Sequence, residues 1–397
     1  MKKMLKYLLV FIIIFSFVFS MQVGTVSAAT KSQATEFVTR LYRIVLEREP
    51  DEAGLQANAG KILSKKGTGA LLVSDFFFSP EFMAKNKNNR DFVTFLFRAC
   101  FNREPDDSSN NWISMLDKGY SRNFVLANFV NAAEFKNLCA GYGVKQGYID
   151  PGSAPQITVS HIPIIGLHGI ENQPSGRYEI SASAFDFLCG TLKHMGYETI
   201  TLNDLYNHYA KGTKLPAKPV IITSDDGYQN MYTVAFPILK KYKYKMTVFL
   251  ISSYIGDSNS SRRNNDFDSG IKGIAVRPML IWPEVSQMNR YGCEFQSHSW
   301  SHSIMKDIPL EAAKNELIQS KKDIEMHTGK PVIFIAWPHS ATSNEVIGLL
   351  GQSGYVGALY WGGGVQSLSS IDFARLNRVQ IVAEISPEAY GKVLGLQ

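Results

Sequence analysis

The sequence predicts an α/β protein, an irregular (β/α) barrel domain preceded by an all-α repeat domain, and three observations carry that expectation. Phe37-Val-Thr-Arg-Leu-Tyr-Arg through Arg48-Glu-Pro-Asp51 returns as Phe92-Val-Thr-Phe-Leu-Phe-Arg through Arg103-Glu-Pro-Asp106, an internal repeat of about fifty residues. Between Gly141 and Pro155 the chain turns rich in Gly, Pro and Ser, as linkers do. From about Val159 onward, short β-branched runs alternate with helical stretches, the pattern of a parallel sheet, and about 240 residues are enough to close it into a barrel.

Taken in order, Lys2, Lys3 and Lys6 precede the apolar run Tyr7 to Phe19 and the small residues Val26-Ser27-Ala28-Ala29. Residues 1–29 therefore read as a secretory signal peptide, with an apolar core shorter than the roughly 20 residues that span a bilayer. Cleavage near Ala28 or Ala29 would leave a secreted protein, extracellular or wall-associated, with no membrane attachment. The helical domain is expected over 30–142. Positions 37, 38, 41, 42 and 45 have helical spacing, Pro50 stops the helix, and Asp51 or Asp106 can cap the next one. Each repeat closes on Glu-Phe, at Phe76-Phe-Phe-Ser-Pro-Glu-Phe82 and Phe129-Val-Asn-Ala-Ala-Glu-Phe135. A linker is expected over 143–158 and the barrel over 159–397.

Strands are predicted at Ile162–Leu167, Val220–Thr223, Met246–Ile251, Glu294–Gln296, Val332–Ala336 and Val356–Leu359, with helices over Ser181–Met195, Met231–Tyr242, Met279–Tyr291, Leu310–Thr328 and Glu345–Ser353. The net charge of +6, from 41 basic and 35 acidic residues without a basic tract beyond the first six residues, gives no footprint for nucleic acid. Four cysteines without a closely spaced pair exclude a zinc-finger or redox motif and fit buried thiols or incidental disulfides.

Chemistry concentrates at strand ends. The run Ile221-Ile-Thr-Ser-Asp225-Asp226-Gly227-Tyr228 delivers two adjacent carboxylates to the carboxyl end of a buried strand, where ligands gather in α/β folds. Consecutive strand residues point apart, so one carboxylate can hold a metal while the other handles a proton. His298 and His302, in Ser297-His298-Ser-Trp-Ser-His302, follow another strand, and a spacing of four brings two imidazoles together if the segment turns helically. Two imidazoles with Asp225 or Asp226 make the donor set of a catalytic zinc site that keeps a position open. His168 ends the strand Ile162-Pro-Ile-Ile-Gly-Leu-His168 and is a candidate general acid.

The motifs Thr223-Ser224-Asp225-Asp226-Gly227-Tyr228 and Gly292-Cys-Glu-Phe-Gln-Ser-His298-Ser-Trp-Ser-His302, in that order and with Trp282-Pro-Glu-Val between them, resemble the polysaccharide deacetylases, the NodB-homology group of carbohydrate esterase family 4. The likeness runs from about residue 160 to the C-terminus, and the early Gly166-Leu-His168 is similar to the circularly permuted branch acting on exopolysaccharide poly-N-acetylglucosamine. The repeat over residues 35 to about 142 resembles a helical domain of unknown function found in secreted bacterial proteins, where wall or glycan contact and an inert spacer are both open readings.

The resemblance implies that Asp226, His298 and His302 hold a divalent metal, with zinc expected, that Asp225 is the general base and His168 the acid, and that the backbone N–H of Tyr228 supports the oxyanion. The implied activity is N-deacetylation of N-acetylglucosamine polymers; an O-acetyl esterase and a non-catalytic glycan-binding protein are the alternatives. The chain departs from the family in two places. Ser224 stands where Phe is usual, and Trp337-Pro-His339-Ser340 replaces the usual third motif, leaving His339 as a substrate contact or competing acid. The arginine that orients the base would be Arg375 or Arg378, and Trp337, Tyr360 and Trp361 are candidates to stack on sugar faces.

Overall fold

The computed structural model describes residues 29–152, 160–268, 275–368 and 371–396, so the expected signal peptide lies outside the described residues except for Ala29, as does the expected linker from residue 153 on. Among the described residues no helix is long and apolar enough to cross a membrane.

The first part of the chain is helical: α1 (Lys31–Leu41), α2 (Glu52–Leu63), α3 (Gly69–Phe77), α4 (Pro80–Ala84), α5 (Asn89–Leu96), α6 (Ser109–Asp117), α7 (Arg122–Asn131) and α8 (Ala133–Gly141). Side-chain caps start most of them; Asp51 accepts from the Gly54 N–H at the head of α2, as its position before an apolar stretch predicts. The repeated motif has a structural reason. Arg48 pairs with Glu81 at 2.7 Å in the first repeat and Arg103 with Glu134 at 2.8 Å in the second, so each Arg-Glu-Pro-Asp turn is tied to the Glu-Phe that closes its own unit. The residue before each arginine, Glu47 or Asn102, takes a left-handed conformation that ends the preceding helical turn.

The second part is a closed ring of seven parallel strands: β1 (Ile164–Leu167), β2 (Pro219–Ser224), β3 (Thr247–Leu250), β4 (Glu294–Ser297), β5 (Phe334–Ala336), β6 (Gly357–Gly363) and β7 (Leu376–Gln380). Each strand pairs with the next in sequence, and β7 returns to β1 through Val379 opposite Ile165. Helices run between the strands, among them Ala182–His194, Trp282–Tyr291 and Leu310–Thr328. Glu198–Thr199 adds to the outside of β2, and the predicted helix over Glu345–Ser353 is two short turns divided at Gly348.

Strand alternation sorts the apolar side chains into two cores. Ile165, Ile222, Val248, Leu250 and Ile335 pack under the surrounding helices. Ile164, Ile221, Phe249, Phe334 and Leu359 fall in the other core, which also contains Phe37, Phe77, Phe92 and Phe129 of the helical repeats. The barrel interior is thus continuous with the helical region. Ile162, Val356 and Phe373, all placed just ahead of strands, join this core, so the helices close the amino ends of the barrel. The Tyr206 hydroxyl donates to the Phe78 carbonyl across that junction at 3.1 Å.

Candidate functional site

The carboxyl ends of the strands carry the polar residues. At the end of β2 the Asp225 N–H donates to the Leu167 carbonyl at 3.0 Å, and the chain then turns through Asp226 and Gly227 at φ 71° and 86°. Gly227 is required there: a Cβ would also lie 2.7 Å from the Leu250 side chain. Ser224, where the family usually has Phe, donates its hydroxyl to the His168 carbonyl at 3.0 Å and so ties β2 to the end of β1.

His298 and His302 do come together, with ring centroids 5.0 Å apart, but the segment joining them is not helical. Ser299 and His302 have φ 69° and 67°, the Ser299 hydroxyl accepts from the His302 N–H at 2.9 Å, and Glu316 accepts from the N–H groups of Trp300 and Ser301. The serines between the histidines offer the backbone local bonds that compete with a helix.

Asp226 Oδ1 lies 3.4 Å from His298 Nε2 and 3.6 Å from His302 Nε2, and these donor atoms all fall within 4.8 Å of one another. Such spacing suits donors about 2 Å from one shared cation. His298 Nδ1 is 2.8 Å from the Ala336 carbonyl, which assigns the ring proton to Nδ1 and leaves Nε2 with its lone pair for a metal. Burial lowers the His302 pKa to about 3, so this ring too is neutral near pH 7. Burial works against the charge on Asp226, but His298, His168 and His302 hold its carboxyl well below the usual range.

Asp225 sits beside this cluster and faces a different partner. Arg378 on β7, only 1% exposed, donates from Nη1 and Nη2 to its two carboxylate oxygens at 2.6 and 2.8 Å. Burial would raise the Asp225 pKa, and the guanidinium outweighs it and keeps the group ionised. Arg378 is itself fixed by the Tyr360 carbonyl at 3.0 Å and lies over the Trp361 ring. Arg375 is exposed and pairs with Asp372 and Asn344, away from the cavity, so of the two candidate arginines Arg378 is the one brought to Asp225.

His168 follows β1, edge-on to Trp361 at 4.2 Å and near Tyr178 at 5.2 Å. Its Nδ1 is buried without a hydrogen-bond partner, and burial lowers its pKa against the pull of Asp226 and Asp225. Tyr228 is buried in the cavity wall, where its loop is held by the Gln229 N–H on the Pro278 carbonyl at 2.8 Å. Trp337 is 1% exposed and mostly core, whereas His339 is exposed at the rim, in a left-handed conformation, with its ring 4.8 Å from His302.

These groups line one cavity of about 360 Å³, together with Tyr178, Glu179, Arg277, Ser340 and Trp361. Arg277 pairs with Glu179 and, at 3.2 Å, with Glu171, bracing the wall beside Tyr228. Glu179, which opens the short strand Glu179–Ser181, and Arg277, in an irregular segment, escape a sequence reading because neither has a motif around it. All four cysteines are buried and unpaired; burial raises the Cys139 thiol to about 12 and the Cys293 thiol to about 11.

This donor set lies at the mouth of a closed parallel barrel, and the chain carries a polysaccharide deacetylase domain, with residues 212–358 matching the model of that family. Members of the family are hydrolases acting on carbon–nitrogen bonds. Residues 73–139 match a domain of unknown function, DUF4214. Among curated relatives, YxkH of Bacillus subtilis is 25% identical over 230 residues, covering 58% of this chain and 75% of that protein. The poly-beta-1,6-N-acetyl-D-glucosamine N-deacetylase of Staphylococcus aureus is 27% identical over 186 residues, 45% of this chain. The match spans 59% of that relative's length. The Streptococcus pyogenes deacetylase PplD, solved with acetate, superposes with a TM-score of 0.50 at 22% identity, over 60% of this chain and 99% of its own, and shows the fold.

Proposed function

We propose that this chain is a secreted, metal-dependent polysaccharide N-deacetylase that releases acetate from N-acetylglucosamine-containing polymers. The observation that carries the reading is the pairing, in one cavity, of the Asp226–His298–His302 donor set with a carboxylate, Asp225, held separately by a buried arginine. The named activity of the Staphylococcus aureus relative supports the substrate class. The signal-like pattern of residues 1–29 supports export.

Asp226, His298 and His302 would hold the cation, for which zinc suits the nitrogen and oxygen donors. When bound, a divalent cation polarises the acetamide carbonyl and makes water acidic enough to attack near neutral pH. Asp225, kept ionised by Arg378, accepts the proton of that attacking water. The Tyr228 backbone N–H donates to the carbonyl oxygen as charge develops on it. The carbon–nitrogen bond then breaks, and His168 gives its proton to the departing glucosamine nitrogen. Because His168 has a lowered pKa, it would take up that proton only in the electrostatic company of Asp225 and Asp226. Trp361 and Tyr178, flanking His168, offer faces on which a sugar ring can stack, and His339 stands at the rim as a substrate contact.

The test is acetate release by the chain from residue 30 onward, on β-1,6- and β-1,4-linked N-acetylglucosamine oligomers, peptidoglycan and acetylxylan, with and without chelator. Chelator-sensitive release from an N-acetylated polymer is the expected result. Release from acetylxylan alone would make the protein an esterase, and no release from any of them would make the barrel a binding module.

A further inference from the structure

A second cavity, of about 680 Å³, opens between the second helical repeat and the barrel, lined on one side by the start of α7 and on the other by His208 and Tyr209. Arg122, the first residue of α7, is 5% exposed and lines it. Its guanidinium lies between the rings of Phe92 and Tyr209, at 4.6 and 5.0 Å, and donates to the Lys87 carbonyl. Its Nε has no hydrogen-bond partner, and among the described residues no carboxylate pairs with it. Ring faces attract a cation but bring no net charge, so a buried guanidinium is left without a counter-anion, a costly state that proteins ordinarily resolve by pairing.

The first repeat supplies a contrast within the same chain. Its corresponding helix, α3, begins at Gly69, and the N–H groups of Gly69 and Ala70 donate to the Lys145 and Gln146 carbonyls at 2.8 Å each. No such carbonyl meets the N–H groups of Arg122 and Asn123 among the described residues. The second repeat therefore presents a helix start, a buried arginine and the exposed Lys118 to one cavity, whose remaining wall includes Leu116, Leu368, Ile371 and one carboxylate, Asp117, which accepts from the Asn89 side chain at 2.8 Å. A helix amino terminus favours negative charge, and an arginine at the same place adds directed donors.

We propose that this cavity binds an oxyanion, a phosphate or carboxylate carried by a sugar or polyol, with the anion on Arg122 and the start of α7 and the carbon skeleton against Leu116, Leu368 and Ile371. The site lies on the helical side of the barrel and is separate from the deacetylase cavity, so it stands whether or not the proposed reaction does. It would let the repeats hold an acidic polymer while the other end of the barrel is free to act.

Calorimetric titration of the chain from residue 30 onward with inorganic phosphate, glycerol 3-phosphate and glucuronate tests this. At least one probe should bind, more weakly as salt rises, with Arg122→Met reducing the affinity about tenfold or more and leaving acetate release unchanged. Tighter binding of glycerol 3-phosphate than of glucuronate assigns the phosphate, and the reverse order the carboxylate. Lys118→Glu, at an exposed position, should weaken the same probe several-fold and serves as the deciding variant if Arg122→Met does not fold. Failure of all three probes to bind at about 20 mM, or equal affinity in the folded variants and the parent, overturns the proposal.

Discussion

Replacing Arg378 with methionine should move both the acid limb of the pH–rate profile and the stability of the barrel. The parent pair is 1% and 4% exposed by side chain and joined by two short charge-assisted bonds, so little solvent screening softens its loss. Removing one member of such a buried pair costs about 3–5 kcal/mol, because the other charge is left unpaired. For a domain of this size that corresponds to a melting temperature lower by roughly 6–20 °C. The sign of the pH effect follows from Asp225, whose folded-state pKa lies below its unfolded value. Its contribution to stability is present above the unfolded value of about 3.9 and is lost as pH falls through the folded one. Without the guanidinium, burial is opposed only by His298 and His168 and the Asp225 pKa rises from its parent position, so turnover should begin to fall at a higher pH than in the parent. The assay is acetate release across pH, run beside thermal unfolding. The double variant Asp225→Asn with Arg378→Met, which leaves neither charge, should recover part of the stability lost by either single change. An unmoved acid limb together with a melting temperature within about a degree of the parent would refute the assignment of Arg378 as the group that holds Asp225 ionised.

Other outcomes are expected of the same site and of the junction beneath it. His298→Ala should lose bound metal by elemental analysis, whereas Asp225→Asn should keep the metal and lose turnover; retained metal in the first would remove His298 from the donor set. His168→Ala should depress amide cleavage more than cleavage of an activated acetyl ester, whose leaving group needs no proton, and equal effects would refute the acid role. Ser224→Ala removes the bond to the His168 carbonyl and should cost about 1 kcal/mol of stability, measured by denaturant unfolding. Deleting residues 30–150 should leave a barrel that melts lower and aggregates, since the deletion uncovers the apolar residues at the amino ends of the strands; an unchanged melting temperature would show the helices to be independent of the barrel.

The barrel was legible because its strands are short apolar runs, and the carboxylates and histidines were legible because they terminate those runs. The last strand was not. Leu376–Gln380 reads Leu-Asn-Arg-Val-Gln, and its inward residue is the buried Arg378, so the side chain that serves the site is also what breaks the apolar pattern. For the same reason the sequence left Arg375 and Arg378 equivalent: choosing between them needs the register of β7 against β1. The helical link between His298 and His302 failed because serine side chains bond the backbone locally. Nothing local marks Glu179 and Arg277, which are brought together across about a hundred residues. The docking of the repeats on the barrel was equally hidden, since the phenylalanines that form it have ordinary helical spacing.

Asp226, Ser299, His302, His339 and Ser340 all take left-handed backbone conformations although none is glycine. Each such residue gives up on the order of 1 kcal/mol relative to glycine at the same place, and here they gather around one mouth. Alanine and glycine scans of these positions should therefore diverge: both delete the functional side chain, but only glycine releases the tension. The protein can become sturdier at these positions by becoming inert, and any search for hardened variants that ignores turnover will drift towards glycine there.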